Sequence, residues 1–180
     1  YMKYLYKYPQ QTFPYQQLLD ENASRAGKGA EYELLDTGIF DEDRYFDVFV
    51  EYAKAGPNDL CVRIEAFNRG PDAAELHLLP QLWFRNIWAW GDKPLRQPLI
   101  QTGKSGKSGK GFVSLLADDT EADGLDNLPA PYKIGVQHLY GEADGAALFT
   151  NNESNTELLY GVTDGTAPRF CKDAFHRHIV

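Results

Sequence analysis

The chain has 180 residues, of which 43% are hydrophobic and 13% aromatic, and these fractions suit one folded domain, alone or with a fragment of another. Its formal net charge is -8, which argues against nucleic-acid binding because that function needs a basic surface. No apolar run approaches the roughly 18 residues of a membrane span, and the N-terminus lacks a signal-peptide core. We therefore expect a cytoplasmic protein with no nucleic-acid and no membrane partner.

The first half of the chain predicts one helix followed by three strands. An early proline, an apolar pair of leucines and two closing glycines predict a helix over Phe13–Ala26. Apolar and polar residues then alternate in Arg44–Lys54, Leu60–Asn68 and Ala74–Phe84, which is typical of half-buried strands. The turn signals GPND and RGPDA separate these segments, so we expect an antiparallel meander.

The second half predicts further short strands and a final helix. The strands expected there are Gly111–Asp118, Pro131–Gly141, Ala146–Asn152 and Glu157–Val162. Many short strands between turn signals predict a mainly β fold, specifically an antiparallel β-sandwich. Ala167–Ile179 predicts a helix. We therefore divide the chain into a sandwich domain, residues 1–165, and a linker helix, residues 166–180. Because the chain has no initiator Met and stops within that helix, we expect an internal piece of a longer protein.

Two residue clusters resemble metal sites, but both lack essential ligands. The carboxylates of Phe40–Asp47 do not follow the calcium-loop order and lack its glycine. Cys171 and His178 can share a helix face, whereas His176 points elsewhere, and no fourth ligand is apparent. We expect no metal.

The glycine-rich segment GKSGKSGKG, Gly103–Gly111, does not match a phosphate-binding loop. That loop needs a glycine where Gln101 stands, so a solvated hairpin tip is the better interpretation. Cys61 and Cys171 form no disulfide framework, and we expect two plain, partly buried thiols. No cofactor is predicted.

The segment LPQLWFRNIWAWG, Leu79–Gly91, contains all three tryptophans of the chain. Leu82 and Phe84 continue the inward face of the predicted third strand. The remaining aromatic rings either pack against the sheet, which composition favours, or form a platform on which a sugar stacks. The candidate substrate-binding residues are Arg85, Asn86, Trp88 and Trp90.

Four long segments resemble the N-terminal region of bacterial proteins related to glycoside hydrolase family 63. They are YMKYLYKYPQ, LLDTGIFDEDRYFDVFVEYAKA, RIEAFNRGPDAAELHLLPQLWFRNIWAWG and RFCKDAFHRHIV. The resemblance implies a β-sandwich followed by a catalytic (α/α)6 barrel that lies outside this chain and hydrolyses α-glycosidic bonds with inversion. It carries no catalytic residue onto this sequence. Ile87 and Ala89 depart from the Thr and Ser usual in the motif, which puts sugar contacts at these positions in doubt.

Three hypotheses follow for the function. The first is a non-catalytic N-terminal domain of a glucosidase-like enzyme of carbohydrate metabolism, which supports the barrel and lines its substrate cleft. Its partners would be its own catalytic barrel and an oligosaccharide. The second is a stand-alone carbohydrate-binding module, in which an oligosaccharide would quench tryptophan fluorescence. The third is a purely structural interaction domain with an exposed apolar patch.

Overall fold

The computed structural model describes residues 1–88, 93, 95–103, 111–124, 133–142, 146–163, 165 and 168–178, with side chains as far as 176. The chain divides into two compact units, Tyr1–Leu78 and Leu79–Val180. Each unit contains one three-stranded antiparallel sheet. The predicted mainly β class is therefore confirmed. None of the helices among these residues has the length and apolar character needed to cross a bilayer.

The sheet of the first unit joins an N-terminal strand to a long hairpin. Its strands are β1 (Met2–Pro9), β2 (Tyr45–Gly56) and β3 (Asp59–Asn68), in the order β1-β2-β3. Val50 of β2 lies opposite Tyr4 of β1 and Ile64 of β3. The predicted strands Arg44–Lys54 and Leu60–Asn68 are confirmed as β2 and β3.

Alternation along these strands gives the first sheet one apolar face and an opposite face with charged side chains among apolar ones, which we call the charged face. On the apolar face Phe46 and Val48 are buried, with exposed fractions of 5% and 8%. On the charged face Asp47 accepts bonds from Lys7 Nζ at 2.8 Å and from Arg69 Nε at 2.7 Å. Such a division is usual for antiparallel sheets that meet solvent on one side.

Glu51 is the centre of a second ion-pair group on the charged face. Its carboxylate contacts Lys3 Nζ at 2.8 Å and Arg63 Nη2 at 2.6 Å, and it accepts a hydrogen bond from the Tyr1 hydroxyl at 2.9 Å. Lys3 first, then Tyr1 and Arg63, stabilise the ionised form and lower the pKa of Glu51 to about 2.

The connection between β1 and β2 contains the predicted N-terminal helix. Helix α1 spans Tyr15–Arg25 and ends at Ala26, whose φ of 46° is left-handed. Two 3-10 turns, Leu34–Thr37 and Asp41–Asp43, follow it. Gly38 between them has a φ of 73°, which favours glycine at this position.

The second unit carries a smaller sheet and two short helices. Its strands are β4 (Leu99–Thr102), β5 (Phe112–Asp118) and β6 (Val136–Glu142), in the order β4-β5-β6, and its helices are α2 (Thr156–Tyr160) and α3 (Phe175–His178). Buried Asp119 accepts hydrogen bonds from the backbone N–H groups of Ile134 and Gly135, at 2.8 and 2.6 Å. These bonds place the start of β6 beside the end of β5.

The third strand of the meander was predicted wrongly. Ala74–Phe84 forms no strand, and β1 takes the third place in the first sheet. Pro80 lacks the N–H group that a strand needs for its ladder. The inside–outside alternation nevertheless persists, because Leu82 and Phe84 are half-buried while Gln81 and Trp83 are exposed.

Several second-half predictions also need correction. Glu157–Val162 was predicted as a strand, but α2 lies there because the Asn155 side chain accepts a hydrogen bond from Leu158 N and caps the helix. Ala146–Asn152 is irregular. The final helix begins only at Phe175, and residues 168–174 before it form bends and turns. Strand β4 was not predicted, since four residues show too little alternation.

Strands β5 and β6 confirm two predicted strands of the second half, although β6 begins later than Pro131. Cys171 is buried as expected, whereas Cys61 is exposed rather than partly buried, because it lies on an edge strand. Most of Gly103–Gly111 lies outside the described residues. The boundary at residue 165 stays a prediction.

Candidate functional site

The segment Leu79–Gly91, which we call the aromatic motif, is described by the structure as far as Trp88. Residues 79–87 belong to no helix or strand. Trp83 is 65% exposed, whereas Trp88 is half-buried. The two tryptophans therefore have different environments, and only Trp88 is packed within the second unit.

Side-chain hydrogen bonds join this motif to the segment NNESN, residues 151–155. Asn152 Nδ2 donates to the carbonyl oxygen of Phe84 at 2.6 Å, and Asn86 Nδ2 donates to the carbonyl oxygen of Asn152 at 2.6 Å. The indole Nε1 of Trp88 donates to Oε1 of Glu153 at 3.0 Å. These three bonds hold residues 84–88 of the motif against residues 152 and 153.

The C-terminal turns lie against the other side of residues 151–155. Asn151 N donates to the Phe170 carbonyl oxygen at 2.8 Å, and Lys172 N donates to the Glu153 carbonyl oxygen at 3.2 Å. Asn155 Nδ2 donates to Oδ2 of Asp173 at 3.1 Å. Segments that are far apart in the sequence thus meet in one polar cluster, which we call the NNESN cluster: residues 84–88, 151–155 and 170–173.

The NNESN cluster contains two carboxylates, each with one oxygen atom that accepts a hydrogen bond and one that accepts none from the described residues. Oε2 of Glu153 and Oδ1 of Asp173 are buried and accept no hydrogen bond from any residue that the structure describes. Each such atom is costly, because burial removes the water that would otherwise solvate it.

Cys171 lies near both carboxylates and is 5% exposed. Burial first, and then the charges of Asp173 and Glu153, raise the pKa of its thiol. A nucleophilic or metal-binding cysteine needs the opposite shift, since the thiolate is the reactive form. Within the described ranges no three His, Cys, Asp or Glu side chains converge as a metal site would require.

The predicted site residues have different outcomes. Asn86 and Trp88 come together in the NNESN cluster, and the bonds given above engage their donors. Arg85 directly precedes Asn86 in the sequence and is exposed. Trp90 lies outside the described residues. Their role in substrate binding stays a prediction.

The residues that complete the cluster were missed in the sequence. No sequence pattern predicted a role for Asn152, Glu153 or Asp173. The usable signal was the density of amide and carboxylate groups in NNESN. An asparagine side chain can donate a hydrogen bond to a backbone carbonyl group and accept one from a backbone N–H group. The asparagines of residues 151–155 are therefore suited to a segment that contacts two irregular parts of the chain.

One curated relative is similar to the whole chain. It is described as the uncharacterized protein YMR196W of Saccharomyces cerevisiae, and it is 31% identical over 211 aligned residues. The alignment covers 100% of this chain but 18% of the relative, so the chain spans about a fifth of that protein's length. No family model matches the chain. No solved structure matches it.

Proposed function

We propose that this chain is the non-catalytic N-terminal region of an inverting α-glycoside hydrolase similar to family 63. In this proposal the chain is the β-sandwich domain of the enzyme, and a C-terminal (α/α)6 barrel supplies the catalytic acid and base. The protein acts on an oligosaccharide in the cytoplasm. The support is the resemblance of the four long segments, the mainly β structure, and the much greater length of the yeast relative.

The observation that carries the proposal is the anchoring of the aromatic motif. The side chain of Asn86 donates a hydrogen bond to Asn152, and that of Trp88 donates one to Glu153. Side chains held in this way are suited to support a surface, because their geometry is set before any ligand arrives. We assign Asn86 and Trp88 to the support of the motif, and Arg85 and Trp90 to the cleft wall.

The carboxylates of the NNESN cluster do not take the catalytic roles. Inverting hydrolysis needs one carboxylic acid that protonates the leaving oxygen and one carboxylate that activates water. Oε2 of Glu153 and Oδ1 of Asp173 are buried, so neither atom meets water or substrate. This burial supports the proposal that the acid and the base lie on the barrel.

The test compares this chain with the complete reading frame that encodes it. We expect the complete protein to release the aryl group from an aryl α-glycoside, and the 180-residue chain to release none. Turnover by the chain alone would overturn the non-catalytic assignment. An inactive complete protein, tried on a panel of α-glucosides and α-mannosides, would overturn the enzyme class.

The cleft wall is tested by Arg85→Ala in the complete protein. We expect KM to rise at least about five-fold while kcat changes little, because Arg85 would act in binding rather than in bond breaking. Lys54→Ala is the matched control, since it removes one exposed positive charge from the first unit. Equal KM values for the two variants would contradict the assignment of Arg85 to the cleft wall.

The proposed cytoplasmic location is tested separately, by cell fractionation.

A further inference from the structure

The second sheet has two faces of different chemistry. The register places the aliphatic side chains of Ile100, Val113, Leu115, Ala117 and Leu139 on one face, where Ala117 is 2% exposed and the other four are half-buried. This face is the core side of the sheet. The opposite face carries exposed aromatic side chains and three aliphatic ones, of which Leu99 and Val136 are exposed and Leu116 is half-buried.

Three aromatic rings form a row on the exposed face. The ring centroids of Phe112 and Tyr140 are 6.3 Å apart with planes at 25°, and those of His138 and Tyr140 are 5.9 Å apart with planes at 7°. Tyr140 is 58% exposed and Phe112 is 38% exposed. We call Phe112, His138 and Tyr140 the aromatic row.

Sheet stability explains only part of the aromatic row. Phe112 and Tyr140 lie on neighbouring strands, and such cross-strand pairs stabilise a sheet. His138 lies in the same strand as Tyr140, two residues away, and extends the row along the surface. A contiguous row of large aromatic rings on the solvent side of a sheet is typical of a binding surface.

The polar groups around the row indicate the chemistry of its ligand. Gln101 and Glu142 share this face by register, and both are exposed. The face carries no Lys or Arg among the residues of β4, β5 and β6, so an anionic ligand finds no partner there. Protein interfaces are enriched in arginine, which is also missing from these strands. Neutral hydroxyl groups suit amide, imidazole and carboxylate partners of this kind.

We propose that the aromatic row is a binding surface for a neutral carbohydrate chain. Sugar rings lie over Tyr140 and its neighbours, and their hydroxyl groups bond to Gln101, His138 and Glu142. This surface lies on the second sheet, whereas the aromatic motif lies before it in sequence. The inference goes beyond the proposed enzyme, because it needs no catalytic barrel and is measurable on the 180-residue chain.

The experiment is affinity gel electrophoresis in soluble starch, yeast mannan and a soluble β-glucan. We expect the protein to be retarded by at least one polysaccharide, and Tyr140→Ala to weaken that affinity at least about five-fold. Tyr140→Phe keeps the ring and is expected to bind. Tyr160→Ala, which removes a tyrosine that is 74% exposed on α2, is the matched control and is expected to bind as the parent protein does.

Three results would overturn the proposal: no retardation by any polysaccharide, equal retardation of Tyr140→Ala and the parent protein, or self-association that Tyr140→Ala abolishes. The last result would assign the row to contact between two copies. Circular dichroism checks that Tyr140→Ala folds, and His138→Ala replaces it if it does not. Because the readout is binding, its failure leaves the glycosidase assay of the complete protein unaffected, and the reverse also holds.

Discussion

The indole N–H of Trp88 donates to Oε1 of Glu153 over 3.0 Å, although 65 positions separate the two residues in the chain. This bond joins the aromatic motif to the NNESN segment, which the C-terminal turns also contact. Loss of this bond is therefore expected to loosen three segments together.

Replacement of Trp88 by Phe tests this bond. The variant keeps an aromatic ring but leaves Oε1 of Glu153 without its donor, beside an Oε2 that already has none among the described residues. We expect a loss of about 1–3 kcal/mol in the free energy of unfolding, measured by urea denaturation.

Trp83→Phe is the control for that measurement, because Trp83 is 65% exposed. Its effect is expected to stay within about 0.5 kcal/mol. A similar loss in both variants would show that ring size rather than the hydrogen bond to Glu153 matters. In a double-mutant cycle, Glu153→Ala is expected to be coupled to Trp88→Phe by more than about 0.5 kcal/mol.

Asp119→Ala is expected to destabilise the second unit. The change leaves the partly buried N–H groups of Ile134 and Gly135 without their carboxylate acceptor at the start of β6. The expected loss is about 1–3 kcal/mol for each group left unsatisfied, and less where water enters. Hydrogen exchange of the β6 amides gives the local measurement. Glu142→Ala, at the exposed end of the same strand, should leave this exchange unchanged.

The ion pairs of Glu51 predict a loss of stability in acid. The pKa of Glu51 is lowered from 4.5 to about 2, chiefly by Lys3, so the folded state holds the ionised form more strongly than the unfolded state does. This contribution is complete above pH 4.5 and falls as the pH decreases toward 2. Melting temperatures of the parent protein and Glu51→Gln are therefore expected to differ at pH 6 and to converge near pH 2. Glu75→Gln, at an exposed position, should show no such convergence.

The two thiols are expected to differ in their reaction with a disulfide reagent. Cys61 is exposed, whereas Cys171 is buried and has a raised thiol pKa. One equivalent is expected to react rapidly in the native protein, and the second only on unfolding. Cys61→Ser should abolish the rapid phase. A rapid phase that survives this change would place Cys171 at the surface.

Local pattern was sufficient for the elements that depend on local sequence. Helix α1 has its proline before it and its stop signals after it, and the hairpin of β2 and β3 has alternation on both sides of a turn. Helix capping, turn formation and strand alternation depend on residues close in sequence, so these elements can be predicted from the sequence alone. Local pattern failed for Glu157–Val162, which was predicted as a strand from its apolar residues. The Asn155 side chain caps a helix there instead.

The candidate site was less predictable than the strands. Asn86 and Trp88 stood out because rare aromatic residues were concentrated around them. Glu153, Asn155 and Asp173 gave no comparable signal, since isolated polar residues in a loop have many possible partners. Their pairing depends on the path of the chain between residues 88 and 151, which no local pattern encodes.

The sequence by itself determined the mainly β class, the positions of α1, β2, β3 and β5, and the importance of the aromatic motif. Only the tertiary structure decided that β1 completes the first sheet, because strand pairing joins residues about 40 positions apart and alternation cannot choose between candidate partners. It also decided that Trp88 donates to Glu153. A buried N–H group must find an acceptor, and which acceptor it finds depends on where the chain returns.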